Sequence, residues 1–284
     1  MGRNELASNR LLLAVPLIIL FAGAALLVLN FTQTGEWFQR SIELRGGTLV
    51  SIKTDSQPDL AMIEEELSER FGKVIVRELR SFSGYGFTVQ ADAGTDVEEL
   101  EAALDGLGVD TSDMSIETVG SSLGESFWQQ AQLSIIVAFI LMGIIVFIIF
   151  RTLIPSAAVI LAAFSDIIVT LALMQVFSIE ISLASFAALL MLIGYSIDTD
   201  ILLTTRILRN TEGSLSERMR GAFKTGMTMT LTTLSVLAAV VITTTSPVLF
   251  SIASVLFLGL AVDIINTWLM NATIIRWYAE KRGL

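Results

Sequence analysis

The chain has 284 residues, of which 53% are hydrophobic and 16% charged, with no cysteine, no histidine and a formal net charge of −10. A mean hydropathy of +0.71 sets it apart from ordinary soluble domains and places it among polytopic membrane proteins. The acidic balance argues against nucleic acid as a partner, because phosphate binding needs basic surface, and the missing residue types remove disulfides, thiolate chemistry and the commonest general base.

Leu11 to Leu29 is an apolar run of about 19 residues, long enough to cross a ~30 Å hydrocarbon core as a helix. Arg3 and Arg10 precede it as they would in a signal peptide, but the run continues through Leu26 and Leu29, so a retained anchor is expected. Residues 1–30 thus form a cytoplasmic N-terminus and first transmembrane helix.

A polar, acid-rich block follows, over residues 31–128. Thr48 to Thr54 alternates as a strand, Pro58 to Phe71 has helical spacing, and Lys73 to Ser81 and Tyr85 to Ala91 are strand-like around Phe82-Ser83-Gly84. Thr95 to Leu107 predicts a second helix and Met114 to Val119 a last strand. The order β-α-β-β-α-β predicts an α+β ferredoxin-like domain with two helices on one face of an antiparallel sheet. In the first helix Met62, Ile63, Leu67 and Phe71 are expected to face the sheet, and Glu64, Glu65, Glu66 and Glu69 to face water.

Apolar runs at about Leu133 to Phe150, Pro155 to Phe177, Leu183 to Thr205, Ala222 to Thr244 and Pro247 to Ile275 complete a six-helix transmembrane bundle within residues 129–284. Basic residues gather at the N-terminus, at Arg151, between Arg206 and Lys224, and between Arg276 and Arg282. In a six-span path these all fall on one side, so both termini are expected in the cytoplasm and residues 31–128 outside it. Pro155 and Pro247 stand at helix starts, with Ser246 as a candidate N-cap.

Ionisable groups inside such spans cost roughly 2.5 to 3.5 kcal/mol each on insertion scales and mark functional sites by default. Asp166, Asp198, Asp200 and Asp263 lie at similar depth in the third, fourth and sixth spans. They are the candidate proton or ion relay, with Lys224 as an anchoring cation or an inward counter-ion. On a helix Asp198 and Asp200 point about 160° apart, so one bundle interior cannot take both, and Asp198, one turn beyond Gly194, is the first choice for the core-facing acid. The alternative role for these acids is neutral interhelical glue bonded to Ser and Thr. Thr225, Thr228, Thr230, Thr232 and Thr233 enrich the fifth span in hydroxyls that could line a hydrated path. No Walker loop, zinc motif or haem motif occurs, and Gly-Tyr-Ser-Ile-Asp at 194–198 lacks the last Gly and any His of a hydrolase elbow, so no enzyme activity, metal or cofactor is expected.

Several segments resemble the SecF family, the smaller membrane subunits of the SecD/SecF accessory complex of protein export and relatives of the resistance-nodulation-division transporters. Ile42-Glu43-Leu44-Arg45-Gly46-Gly47-Thr48 is similar to the family's segment after the first span. Ser165-Asp166-Ile167-Ile168 resembles its acidic third-span motif, Ile193-Gly194-Tyr195-Ser196-Ile197 its fourth span, and Leu231-Thr232-Thr233-Leu234 its fifth. Gly46, Gly47, Gly194, Tyr195, Ser196, Thr232 and Thr233 are thereby identified as structural motif residues. Bacterial members continue Gly-Tyr-Ser-Ile-Asn-Asp-Thr, which aligns their acid with Thr199 and leaves Asp198 and Asp200 to either side; such departures resemble archaeal SecF.

The resemblance implies a multi-pass protein of the prokaryotic plasma membrane that, with a SecD-like membrane subunit, assists translocation or release of exported polypeptides at the Sec translocon channel, coupled to the proton-motive force. The lipid bilayer is its other partner. A small proton-coupled exporter of lipids or hydrophobic compounds is the competing expectation, and a scaffold without ion coupling a third.

Overall fold

In the computed structural model, which describes residues 3–54, 58–78, 85–112, 114–209 and 212–283, with backbone alone for 3–11, the apolar runs form six helices long and apolar enough to cross a membrane. The elements in chain order are α1 (Arg3–Thr34), α2 (Ile42–Arg45), β1 (Gly47–Thr54), α3 (Leu60–Phe71), β2 (Ile75–Glu78), β3 (Tyr85–Ala91), α4 (Val97–Gly106), β4 (Met114–Val119), α5 (Ser121–Phe150), α6 (Leu153–Val176), α7 (Leu183–Leu208), α8 (Leu215–Thr243) and α9 (Pro247–Ile265). A π-helical segment, Asn266–Asn271, joins α9 to α10 (Ala272–Arg282), and the three together make the sixth span.

Two helix starts differ most from the sequence expectation. α5 starts at Ser121 rather than Leu133, because its amphipathic first turns pack on α2 before the apolar run begins. α8 starts at Leu215 rather than Ala222, where Ser214 and Glu217 form a reciprocal capping box, Ser214 N–H donating to Glu217 Oε2 at 2.8 Å. The short helix α2 was not expected at all. Pro247 occupies the first turn of α9, and Ser246 Oγ accepts from the Leu249 N–H at 3.4 Å.

The strands form one antiparallel sheet in the order β2-β3-β1-β4. Alternation sends Val50, Ile52, Phe87 and Val89 to the face covered by α3 and α4, where they meet Ile63, Leu67, Leu100 and Leu104. Asp59 and Asp96 begin the two helices as N-caps, each accepting a backbone N–H. Met62, expected to face the sheet, is 53% exposed instead, because it lies 100° round the helix from the Ile63 and Leu67 stripe. The expected turn at Phe82-Ser83-Gly84 and the strand end at Ser81 lie outside the described residues.

Glycines set how the sheet joins the bundle. Gly46 has φ +79° and Gly47 φ +143°, conformations that side chains disfavour. A Cβ on Gly46 would stand 2.6 Å from Cα of Ser121, and one on Gly124 would stand 2.5 Å from N of Gly46, so α2 and α5 meet backbone against backbone. The segment before α2 also pairs with the α6–α7 loop, Ser41 N–H donating to Ile181 O at 2.9 Å and Ile181 N–H to Gln39 O at 2.8 Å.

Within the bundle α6, α7 and α9 are the more buried helices, whereas α1, α5 and α8 keep most of their surface turned outward. Leu189 and Leu192 of α7 and Val255 and Leu260 of α9 belong to one apolar core with Val159, Ala163 and Ile167 of α6. That packing brings the three acid-bearing helices together.

Candidate functional site

The centre of the bundle is polar. Asp166 of α6 (1% exposed), Asp200 of α7 (0%) and Asp263 of α9 (0%) are buried there, with Ser165, Ser196, Asn266, Thr267 and Asn271 around them. Each helix presents its polar residue because helical spacing carries it: Ser196 and Asp200 are four apart on α7, as are Asp263, Thr267 and Asn271 on the last span.

Two hydrogen-bonded groups make up the site. Around Asp166, Ser196 Oγ donates to Oδ2 at 2.6 Å and Asn266 Nδ2 to Oδ1 at 2.7 Å, while the same amide reaches Ser165 Oγ at 3.0 Å. Around Asp200, Asn271 Nδ2 donates to Oδ1 at 2.6 Å, and Thr267 Oγ1 stands 2.9 Å from that oxygen and 3.0 Å from Oδ1 of Asp263. The Thr267 hydroxyl has one proton and two carboxyl neighbours. Both contacts become hydrogen bonds when one of those carboxyls carries a proton and donates to Thr267 in turn.

Electrostatically the cluster is acid without cation. None of the ion pairs among the described residues involves Asp166, Asp200 or Asp263. Asp200 Oδ2, Asp263 Oδ2, Asn266 Oδ1 and Asn271 Oδ1 are buried with no hydrogen-bond partner in the protein. Among the described residues no group of three or more carboxylates converges closely enough to hold a metal ion.

Asp198 does not join this site. It is exposed on the outer face of α7 together with Gly194 and Tyr195, the latter 46% exposed, while Asp200 takes the inward position. The expectation that Asp198 faces the core is therefore corrected, and its reason is geometric: Ser196 and Asp200 share the stripe of Leu189, Leu192 and Leu203, and Asp198 lies about 160° from Asp200. Thr199, between the two, is also buried.

Lys224 is exposed on α8 and forms no ion pair among those described, so it is not the counter-ion of the buried acids. The fifth-span hydroxyls fold back onto their own helix: Thr225 donates to Gly221 O, Thr228 to Lys224 O, and Thr232 and Thr233 to Met229 O. Thr232 is exposed and Thr233 half-buried, and Thr230 is the buried one of the set. Gly194 has open space where a Cβ would go, whereas Gly226 of α8 lies against Trp268, 2.5 Å from a Cβ position to Cζ2.

Asn266, Thr267 and Asn271 were missed in the sequence. Their signal was present, since three polar residues at helical spacing beyond Asp263 interrupt an apolar span.

Residues 99–281 match the family described as protein export membrane protein SecD/SecF, C-terminal. The protein-export membrane protein SecF of Pyrococcus furiosus is 41% identical over 269 residues, which cover 94% of this chain and 90% of that protein. SecF of Methanothermobacter thermautotrophicus is 42% identical over 98% of this chain and 95% of its own length, and SecF of Haloferax volcanii 38% identical over 95% and 93%. Among solved structures, SecDF, a translocon-associated membrane protein from Thermus thermophilus, has a TM-score of 0.77 at 24% identity over 97% of this chain. This chain spans 38% of the length of that one. The likeness there is one of fold.

Proposed function

The chain belongs to the SecF family of protein-export membrane proteins, and from that membership we propose that it acts as an accessory subunit of the Sec machinery, working with a SecD-like membrane subunit on polypeptides that leave through the translocon channel. As a member of the family it is a multi-pass protein of the cell membrane. Its six spans and single water-soluble block match a part of the longer SecDF chain, which supports a separate partner of like design for the remainder. The outward face of α7 supports the same reading: a carboxylate such as Asp198, left against lipid in mid-span, costs roughly 2.5 to 3.5 kcal/mol, and a second bundle laid on that face removes the cost.

The observation that carries an energy-coupled role is the buried set Asp166, Asp200 and Asp263, three acids with donors from Ser196, Asn266, Thr267 and Asn271 and no ion pair among the described residues. We assign it as the relay for protons drawn through by the proton-motive force. Thr267, bridging Asp200 and Asp263, is the group through which one proton is passed between them. Asp198 and Lys224 act at the partner-facing and lipid-facing surfaces, and no enzymatic step is assigned.

The domain plan follows. Residues 1–30 carry a cytoplasmic N-terminus and the first helix, residues 31–128 a ferredoxin-like domain outside the cell, and residues 129–284 the remaining spans with a cytoplasmic C-terminus. The strand order β2-β3-β1-β4 with two helices on one face supports the domain assignment, and the basic residues near Arg151, Arg206 and Arg282 support the orientation.

Replacing the chromosomal copy by Asp166→Asn and by Asp200→Asn, followed by pulse-chase of a secreted reporter, tests the reading. Export should slow to the rate seen without the chain while the variants accumulate normally in the membrane. Wild-type export by both variants would refute the relay, and co-purification lacking any SecD-like subunit would refute the partnership.

A further inference from the structure

Between the sheet and the N-terminal ends of α7 and α9 lies a cleft of about 660 Å3, within the roughly 300 to 1,000 Å3 of ordinary ligand sites. One wall is the sheet face opposite α3 and α4. Ser115, Ser51, Thr88 and Arg77 form one row across the four strands, and Glu117, Leu49, Gln90 and Ile75 the next. The other wall is the first half of α9, with Val248, Phe257 and Leu258 beside Ser254, which is 7% exposed and whose hydroxyl has no hydrogen-bond partner.

The cleft is thus apolar on one side and hydroxyl-, amide- and acid-bearing on the other. Among the described residues the carboxylates that face it are Glu43, Glu117 and Glu180, against Arg77 alone, since Glu78 pairs with Phe87 and points to the α3 and α4 face. Arg77 is already engaged, with Glu180 at 3.1 Å and with Ser178 O and Gln39 Oε1. Glu43 accepts the Leu183 N–H at 2.9 Å. Among the described residues Glu117 forms no ion pair, so the cleft has negative charge to offer.

We propose that this cleft binds an extended polypeptide segment bearing basic and apolar side chains. An extended chain carries unpaired backbone N–H and C=O groups, which the Ser51 and Thr88 side chains can satisfy. Its apolar side chains go to the α9 wall, and its Lys or Arg side chains to Glu117. Glu117, with Glu43 and Glu180 in the same lining, repels the phosphate of an anionic lipid, which otherwise fits a half-apolar cleft at the edge of a bundle. The inference rests on the export role proposed above and adds the place where the passing chain is held.

The test uses membrane vesicles containing the full chain with its SecD-like partner. A benzophenone amino acid replaces Thr88, Phe257 or, as control on the solvent face of α3, Glu65. A secretory precursor with a Lys-rich mature segment is arrested in transit and the vesicles are irradiated. Precursor adducts are expected from Thr88 and Phe257 and not from Glu65, and Glu117→Lys should reduce the Thr88 adduct about threefold to fivefold, the effect of losing one exposed charge contact. Adducts with lipid or with the partner subunit in place of the precursor, or a Thr88 adduct indifferent to Glu117→Lys, would overturn the proposal. Pulse-chase in the same cells separates the two readings: export that still depends on the chain while Thr88 labels lipid sinks the cleft alone, and export independent of the chain sinks both.

Discussion

The side-chain amide of Asn271 lies 2.6 Å from Oδ1 of Asp200, so the last span reaches across the bundle to hold the inward carboxylate of α7. A hydrogen bond to a charged group contributes about 1.5 to 3 kcal/mol, and an unpaired buried carboxylate costs at least as much. Asn271→Leu should therefore lower the thermal midpoint of the purified protein in detergent. Against an Asp200→Asn background the same change should cost less, because the strongest interaction it removes is already weakened. Equal shifts in both backgrounds would mean that the contact contributes nothing.

Asp198 and Asp200 should separate by experiment. Asp200→Asn alters the interior of the bundle, and Asp198→Asn alters its outer face. Export measured by pulse-chase should fail in the first. In the second, the thermal midpoint of the isolated chain should be unchanged while recovery of the SecD-like subunit in mild detergent changes. The reverse pattern would place the working acid on the outer face.

Gly124→Ala should destabilise the junction between the external block and α5. The new Cβ meets N of Gly46 at 2.5 Å and C of Arg45 at 3.0 Å, backbone atoms that cannot rotate away. Overpacking of this kind costs about 1 to 3 kcal/mol. Gly194→Ala, with open space at its Cβ position, is the control and should be silent in the isolated chain. Limited proteolysis near residue 120 reads the difference.

The absence of cysteine makes the orientation directly measurable. Single cysteines placed by Glu69→Cys and by Lys281→Cys should behave oppositely. A membrane-impermeant maleimide applied to intact cells should label the first and not the second, and lysis should expose the second. Labelling of Lys281→Cys in intact cells would invert the topology.

How much of this was legible depended on the solvent. In α3, water on one side makes the pattern informative, and Ile63 and Leu67 mark the buried stripe plainly, although Met62 was drawn in with them. In α7 the outward face is as apolar as the core, so Leu189 and Leu192 on the inside and Met191 on the outside look alike in sequence. Periodicity then says that Asp198 and Asp200 face apart, and packing decides which is buried. The polar residues beyond Asp263 were readable at helical spacing, but the π winding that places Asn266 and Thr267 together on the acids leaves no mark in residue type.

That winding has a mechanical side. A π turn carries one residue more than an α turn, so residues 266–271 amount to an insertion held inside a span. If it relaxed to α geometry, everything from Ala272 onward would rotate by about 100°, taking Arg276, Lys281 and Arg282 with it. The last span thus has its register set at the acids themselves, and the azimuth of its basic end is fixed by how six residues beside Asp200 are wound.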